Sequence, residues 1–316
     1  MSGLPVERAH RLAECAEERR WLIDGLWAEE GVGIVGGEPK CCKSFLALDM
    51  AVAVASGTSC LRRFAVARPG RVLLFAAEDA LHVVRRRLDG ISRAAGVALA
   101  DVDIHVITAP TVRLDVEADR RSLTETVAAL RPRLLILDPF VRLHRIDENV
   151  SGEVAPLLAF LRELQRRYQL AVVVVHHARK GAGRARAGQA LRGSSEFHAW
   201  GDSNLYLRRD AEQLTMSIEH RAAASSSGIA LRLKADDEAI ALEIVERAAA
   251  SVEKAQPELH ERVEEALSAA DEPMTVAALR ITCRVRNERL VEVLADLVSA
   301  GRVHRAAGGG YALSSP

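Results

Sequence analysis

The first 180 residues alternate short apolar runs with segments whose apolar residues recur every three to four positions. The short runs predict β-strands, and the longer periodic segments predict helices between them. Because the runs are almost continuously apolar, we expect parallel strands that are buried on both faces of one sheet, as in α/β folds. The predicted strands are Val32–Val35, Arg71–Ala77, Asp103–Thr108, Leu134–Leu137 and Ala171–Val175, and the predicted helices are Ser44–Ala55, Leu81–Ala95, Arg120–Leu130 and Val154–Tyr168.

After residue 200 the pattern changes to an alternation of apolar and polar residues. Leu214, Met216 and Ile218 alternate with polar neighbours, and Leu231 and Leu233 do the same. This alternation predicts short antiparallel strands that are added to the sheet. Turns between these strands are expected at Ser225–Gly228 and Asp236–Asp237.

The end of the chain has a separate pattern. Residues 258–316 predict a helix, a second helix, a turn, a third helix and a short hairpin, which is the element order of a winged helix. A small dimerisation bundle is the alternative. We therefore expect a large α/β domain at 1–250, a linker at 251–257 and a small domain at 258–316.

Composition and charge exclude several classes of protein. Hydrophobic residues make up 49% of the 316 residues and charged residues 27%, which excludes an intrinsically disordered chain. The 43 basic and 43 acidic residues give a formal net charge of zero, so a polyanion must be bound by a local patch. No apolar run reaches the roughly 18 residues needed to cross a bilayer, and the first residues contain no apolar signal core. The five cysteines show no CxxC pair. We expect a cytoplasmic protein without a membrane partner.

The segment GGEPKCCKS (36–44) lies between a predicted buried strand and a predicted helix. This is the context of a phosphate-binding loop, in which backbone N–H groups and a helix N-terminus receive the phosphates of a nucleotide. Lys43 would contact the β- and γ-phosphates, and Ser44 would ligate Mg²⁺. Gly37 matches the first glycine of the pattern G-x-x-x-x-G-K-[ST], whereas Cys42 replaces the second. The expected nucleotide-contacting residues are Gly37, Glu38, Pro39, Lys40, Cys41, Cys42, Lys43, Ser44 and Phe45.

Three further predicted strands end in polar residues. The run LLILDP ends at Asp138, which would hold Mg²⁺ together with Ser44. Glu78 follows LLFAA, where a carboxylate could orient the attacking water or cap the next helix. His176 and His177 follow AVVVV. The carboxyl ends of parallel strands share one edge of a sheet, so these groups together predict a site for ATP and Mg²⁺.

These motifs, in their order and spacing, resemble those of the RecA-like ring ATPases over about residues 20–247. The specific resemblance is to the RepA-type hexameric replicative helicases of plasmids and mobile elements. It rests on GEPKCCKS, FAAEDAL, LLILDPFVRLH, VVVVHHARK and LRGSSEFHAWGDSNLYLRRD. The resemblance implies a RecA-like P-loop NTPase core, a hexameric ring of identical subunits, and single-stranded DNA as a partner.

The resemblance also implies roles for individual residues. Glu78 matches the family's catalytic carboxylate. His177, with His176 as the alternative, falls where a polar side chain contacts the γ-phosphate. Arg209, with Arg208 as the reserve, falls where these rings supply an arginine finger to the neighbouring subunit.

Residues 178–193 (ARKGAGRARAGQALRG) contain five cations and no carboxylate. Their glycines and small residues disfavour a packed element, so we expect a basic loop that contacts the phosphates of single-stranded DNA. By resemblance, loops at this place line the central channel of the ring. A solvated surface loop is the alternative. The expected DNA-contacting residues are Arg179, Lys180, Arg184, Arg186 and Arg192.

The leading hypothesis is an ATP-hydrolysing, ring-forming motor on single-stranded DNA, a replicative helicase of a plasmid, phage or other mobile element. An initiator or loader protein is a candidate partner. Two alternatives stay open: an ATP-dependent DNA-binding regulator, and a RecA-like recombination or loading factor that does not unwind DNA. The C-terminal domain could read DNA with the helix near Asn287 or bind a protein.

Overall fold

The computed structural model describes residues 6–11, 20–177, 196–210, 213–236, 239–245, 259–270, 272–283, 285, 287–299, 301–306 and 310–314. The chain divides into two compact units, Met1–Glu246 and Arg247–Pro316, and each is described by itself. None of the helices in the described ranges combines the length and the apolar character that a bilayer span requires.

In its described residues, the first unit begins with three strands, alternates helices and strands up to residue 210, and continues in strands after it. Its strands are β1 (Trp21–Ile23), β2 (Trp27–Ala28), β3 (Val32–Gly37), β4 (Val72–Ala76), β5 (Ile104–Val106), β6 (Leu134–Asp138), β7 (Ala171–His177), β8 (Ser203–Asp210), β9 (Gln213–His220), β10 (Ser226–Asp236) and β11 (Ala239–Ile244). Its α-helices are α1 (Lys43–Ser56), α2 (Leu81–Ala94), α3 (Glu117–Leu130), α4 (Ser151–Tyr168) and α5 (Glu196–Trp200). Short 3₁₀ helices cover Ala9–Arg11, Leu99–Asp101 and Phe140–Arg142.

Within the described residues, nine strands form one sheet in the order β11-β10-β9-β8-β3-β7-β6-β4-β5. The strands from β8 through β5 in this order run parallel. Strands β9, β10 and β11 join them in antiparallel orientation. The prediction of a mostly parallel sheet with added antiparallel strands is confirmed. Parallel pairing brings the carboxyl ends of β3, β4, β6 and β7 to one edge of the sheet.

Both faces of the central strands β3, β6 and β7 are buried, which explains their continuously apolar sequence. In β7, Val173 and Val175 pack in the hydrophobic cluster that includes α1 and α2. Val172 and Val174 pack in the opposite cluster, which includes α3 and α4. Successive side chains of a strand point to opposite faces, so the residues of one apolar run pack alternately into two cores.

The backbones of β3 and β8 approach closely at Gly33. A Cβ atom at this position would lie 1.7 Å from the carbonyl oxygen of Ser203, so a side chain would force the two strands apart. The side chain of Asn204 accepts a hydrogen bond from the backbone N–H of Ile34 at 3.2 Å. This buried side chain satisfies a backbone group of β3 and holds the start of β8 against it.

The turn predicted at Ser225–Gly228 is wrong, because most of it lies in β10. The register of β10 against β9 shifts between Ser226 and Ile229, and Gly228 has a φ of 76°. The glycine therefore marks a bulge inside a strand rather than a turn between strands. Of the turn predicted at Asp236–Asp237, Asp236 ends β10 and Asp237 lies outside the described residues. The β1–β2 hairpin was not predicted, because its strands are too short to show a period.

In its described residues, the second unit has three helices followed by a two-stranded hairpin, in the predicted order. The helices are α6 (Leu259–Ser268), α7 (Val276–Thr282) and α8 (Asn287–Ser299), and the strands are β12 (Val303–Arg305) and β13 (Tyr311–Leu313). Thr275 caps α7, because its hydroxyl oxygen accepts from the N–H of Ala278 at 3.2 Å. Val263, Leu279 and Leu294 belong to a core that joins the three helices.

A buried carboxylate joins α1 to the last strand of the sheet. Asp49 accepts hydrogen bonds from the N–H of Leu61 and from Nη2 of Arg62, each at 2.6 Å. Arg62 also donates to the carbonyl of Leu242 in β11. Burial raises the pKa of Asp49, and the charge of Arg62 opposes that shift. The ion pair thus compensates a charge that would be costly to bury alone.

We expect Asp49→Ala to lower the free energy of unfolding by about 1–3 kcal/mol, because it leaves the buried N–H of Leu61 without its acceptor. As a control, Asp89→Ala removes an exposed partner of Arg93, 3.0 Å away, and should change stability by less than about 1 kcal/mol. Urea denaturation followed by circular dichroism measures both. Equal losses in the two variants would contradict the structural role of Asp49.

Candidate nucleotide site

The loop between β3 and α1 has the backbone of a phosphate-binding turn. Lys40 and Cys42 have positive φ angles of 66° and 64°, a conformation that costs about 1–2 kcal/mol for a residue other than glycine. Cys42 is the N-cap of α1, so glycine would adopt its conformation without this strain. A Cβ at Gly37 would lie 2.3 Å from the carbonyl oxygen of Leu207, so only glycine fits there.

Lys43 and Cys41 hold the loop together from inside. The Lys43 ammonium donates to the carbonyl of Glu38 at 2.7 Å, and the Cys41 thiol donates to the same carbonyl at 2.8 Å. Cys41 is fully buried. Burial raises the pKa of the Cys41 thiol, and the charge of Lys43 partly offsets the rise. The thiol is therefore an internal support of the loop.

The loop opens into a cavity of about 310 Å³ at the carboxyl edge of the sheet. Most of the predicted nucleotide-contacting residues line it, together with Glu78, Asp138 and His177. Gly37, Glu38 and Pro39 precede these residues in the same loop but do not line the cavity. The lining residues are Lys40, Cys41, Cys42, Lys43, Ser44, Phe45, Ala76, Glu78, Asp79, Arg87, Asp138, Val175 and His177.

Asp138 ends β6 at the floor of this cavity and is buried. Burial raises its pKa from 3.8 to about 6, against the effect of a hydrogen bond from Ser44. The charges of Asp79 and Glu78 raise this pKa further, and Lys43 lowers it. A hydroxyl and a carboxylate in contact are oxygen ligands of the kind Mg²⁺ prefers. Ser44 and Asp138 thus fit the predicted metal-binding pair.

Among the described residues, no group of three or more His, Cys, Asp or Glu side chains could hold a metal ion. A magnesium ion at Ser44 and Asp138 would therefore need further ligands from phosphate oxygens or water, as is usual for Mg²⁺ in nucleotide sites.

Two consecutive carboxylates follow β4, and each is paired with an arginine. Nε of Arg142 donates to Oε1 of Glu78 at 2.9 Å, and the Arg87 guanidinium pairs with Asp79. The guanidinium of Arg87 also lies over the ring of Phe45, 5.1 Å from its centroid. Sequence reasoning missed both arginines, because nothing local to their helices marks them as partners of residues on another segment.

His176 and His177 lie within β7 rather than after it, which corrects the predicted end of that strand. Because side chains alternate along a strand, the two rings point to opposite faces. His177 lines the cavity, whereas His176 is buried against Phe197 on the other side. Of the two predicted candidates for the γ-phosphate contact, only His177 reaches the cavity. Burial lowers the pKa of His177, and the charge of Lys43 lowers it further.

Arg209 lies near the end of β8, beside the loop of its own chain. Its Nη2 atom is 3.5 Å from the sulfur of Cys42. Arg208, the reserve candidate, lies 3.8 Å from the carboxylate of Asp210. The structure therefore brings Arg209 to the rim of this chain's own cavity. The predicted DNA-contacting residues Arg179, Lys180, Arg184, Arg186 and Arg192 lie outside the described residues.

Two solved structures are similar in fold to this chain. A DnaB-like replicative helicase, whose structure was determined with its interactions with primase, matches with a TM-score of 0.53 and 13% identity over 67% of this chain. The match covers 57% of the helicase chain, so this chain spans little more than half of its length. The RadB recombinase matches with a TM-score of 0.49 and 19% identity, over 69% of this chain and 92% of its own.

Residues 3–183 match the protein family described as an AAA domain. The match spans the phosphate-binding loop and the three strand ends that line the cavity with it. Since it extends over more than half of the sequence, the chain belongs to the AAA domain family, and its core has the fold of a RecA-like P-loop ATPase.

Proposed function

We propose that the protein is an ATP-hydrolysing motor that acts on single-stranded DNA as a hexameric ring of identical subunits. The observation that carries the proposal is the cavity in which Lys43, Glu78, Asp138 and His177 converge. The basic segment begins at residue 178, directly after His177. A side chain at the γ-phosphate would then be joined by one peptide bond to a segment that contacts DNA.

In this proposal each group has one task in hydrolysis. Lys43 leaves the carbonyl of Glu38 and binds the β- and γ-phosphates, and His177 contacts the γ-phosphate. Glu78 orients the water that attacks phosphorus, which releases ADP and inorganic phosphate. Ser44 and Asp138 would hold Mg²⁺, which when bound neutralises charge on the phosphate oxygens.

The arginine finger is the part of the proposal that requires a ring. Arg209 is our candidate, because β8 carries it to the rim of the cavity, and Arg208 is the reserve. In a ring, the finger of one subunit would contact the γ-phosphate bound to its neighbour and stabilise the charge of the transferring group. The contact between Arg209 and Cys42 within one chain leaves a cis role as the competing possibility.

The RecA-like core and the DnaB-like similarity support a role in DNA replication, and we propose a replicative helicase of a plasmid, phage or other mobile element. An initiator or loader protein is the proposed partner. We also propose that the C-terminal unit is a winged helix. Within it, Arg302 pairs with Glu264, and α8 exposes Val291 and Val298. These features favour a protein over a DNA phosphate backbone as the ligand of this unit.

Strand displacement tests the proposal. We expect single-stranded DNA to stimulate ATP hydrolysis by about tenfold or more, and ATP to drive displacement of a paired strand. Changing both Arg184 and Arg186 to Ala should remove the stimulation and weaken the salt dependence of DNA binding. The matched control changes Arg85 and Arg86, which are exposed on α2, and should retain both properties.

Two variants of the cavity serve as internal controls for that experiment. Lys43→Ala should lose nucleotide affinity and turnover together, whereas Glu78→Gln should bind ATP and lose about 10²-fold or more in kcat. Stimulation without strand displacement would favour a recombination or loading factor. Sequence-specific duplex binding without any stimulation would favour a regulator.

Mixing two inactive variants tests the origin of the arginine finger. Arg209→Ala should bind ATP but hydrolyse it slowly, by about 10³-fold or more. If the finger acts on the neighbour, mixed rings with Lys43→Ala subunits should recover part of the activity, because some interfaces join an intact cavity to an intact finger. Fluorescence energy transfer between labelled subunits verifies mixing. Mixed rings without any recovery would establish a cis role.

The raised pKa of Asp138 predicts a pH-dependent stability. In the folded state this carboxyl binds a proton more readily than in the unfolded chain, so stability falls as pH rises from about 3.8 towards 6. Asp138→Asn removes that charge, and at about pH 8 the nucleotide-free variant should be more stable than wild type by on the order of 2 kcal/mol. The gain should vanish below about pH 4.

Thermal unfolding across pH measures this effect. Asp147→Asn is the control, because Asp147 is an exposed carboxylate whose pKa is lowered by hydrogen bonds from Asn149, and its loss should bring no gain at high pH. Mg²⁺ with ADP should stabilise wild type more at about pH 8 than at about pH 5, where a proton competes for Asp138. A less stable Asp138→Asn protein at high pH would refute this account.

A further inference from the structure

On the face of β7 opposite the nucleotide cavity, a glutamate lies between two buried histidines. Oε1 of Glu148 is 3.2 Å from Nε2 of His144, and Oε2 is 3.5 Å from Nε2 of His176. The side chains of the two histidines are 2% and 1% exposed, and that of Glu148 is 13% exposed. We call these three residues the histidine clamp.

Two phenylalanines enclose the histidine clamp. The ring of Phe140 lies 4.6 Å from that of His144 and 6.2 Å from that of His176. The ring of Phe197 lies 4.2 Å from that of His176 and 5.1 Å from that of Phe140. Both phenylalanines are fully buried. The clamp is therefore a polar group beside apolar rings. The two imidazoles are the neighbouring groups that can compensate the charge of Glu148.

The carboxyl group of Glu148 favours its ionised form. Burial opposes its ionisation, but the imidazoles of His144 and His176 outweigh burial and lower its pKa to about 2. The ring nitrogens of both histidines and Oε1 of Glu148 nevertheless lack a well-aligned hydrogen bond to any described residue. The three groups are close enough to attract one another but are not locked in geometry, so small displacements of either histidine change their interaction.

The segments that meet at the clamp all belong to the proposed motor. His144 follows the 3₁₀ helix that carries Arg142, the partner of Glu78. His176 is joined by one peptide bond to His177 in the cavity. Phe197 lies on α5, which begins three residues after the end of the basic segment in the sequence. The clamp thus joins the segment beyond Asp138 to the last residues of β7, and it packs against Phe197 of α5.

We propose that Glu148 is a positioning residue that couples occupancy of the nucleotide cavity to the basic segment. This inference rests on the proposed function. Contact of His177 with a γ-phosphate displaces the end of β7, His176 moves with it, and Glu148 transmits the movement to the 144–148 segment and to the ring of Phe197. Without the carboxylate, the two imidazoles lose the charge that attracts both of them.

The test is Glu148→Gln, with Glu163→Gln as the matched control. Glu163 is an exposed carboxylate of α4, the helix that follows the clamp segment. We expect Glu148→Gln to keep its nucleotide Kd, its KM for ATP and its DNA-free ATPase rate within about twofold. Its stimulation by single-stranded DNA should fall by about three- to tenfold in kcat. Glu163→Gln should behave as wild type.

A second readout does not depend on hydrolysis. Trypsin cuts after arginine and lysine, so cleavage within residues 178–195 reports on the basic segment. In wild type, a non-hydrolysable ATP analogue with Mg²⁺ should change the cleavage rate by about threefold or more, and in Glu148→Gln it should not. Should Glu148→Gln fail to fold, Glu148→Asp retains the charge at shorter reach and should show partial loss in both readouts.

Three results would overturn the inference. The first is full stimulation and a nucleotide-dependent cleavage rate in Glu148→Gln. The second is a parallel loss of nucleotide affinity and basal turnover, which would mean a purely structural role. The third is a stoichiometric metal ion that is present in wild type and lost in the variant. If wild type itself shows no stimulation by DNA, the proposed function fails, and the cleavage experiment still decides whether Glu148 couples the two segments.

Discussion

The position of β3 between β7 and β8 determines the geometry of the nucleotide cavity. In this register Gly37, the last residue of β3, lies opposite His177 of β7 and Leu207 of β8. The strands are parallel, so the loop after β3 meets the histidine and, two residues beyond Leu207, Arg209 at one edge. Burial of both faces of β3 maintains this register, because a one-residue slip would exchange the buried faces of the strand.

Sequence reasoning was most successful where one segment carries its own signal. The apolar runs located five of the six parallel strands, β3 to β7. The loop, Asp138 and Glu78 were predicted from strand-end motifs and the family resemblance, and they lie at one edge of the sheet. Interactions between distant segments could not be predicted in this way. The pair of Glu78 and Arg142 joins residues 64 positions apart, and the histidine clamp depends on a loop and a strand that meet only in the folded sheet. Gly228 shows the converse error, because a local turn signal was overridden by strand pairing.

Asp138 and Glu148 of this domain have pKa values that are shifted in opposite directions, and their neighbours explain the difference. Asp138 faces two other carboxylates across the cavity, and burial raises its pKa to about 6. Glu148 lies between two imidazoles, and its pKa falls to about 2 despite burial. The first carboxylate lacks a full counter-charge and favours an incoming cation. The second has its compensating partners within the fold and serves to hold protein segments together.

The adjacent histidines of β7 make the length of that strand more important than the identity of its apolar residues. His177 lines the cavity, and His176 packs in the core on the other side of the sheet, because neighbouring side chains of a strand point in opposite directions. The preceding valines are chemically alike on both faces, so exchanging one for isoleucine would alter only local packing. Removing or adding a single residue would turn each histidine to the wrong face. An insertion or deletion in β7 would thus damage the cavity more than an exchange of one of its valines.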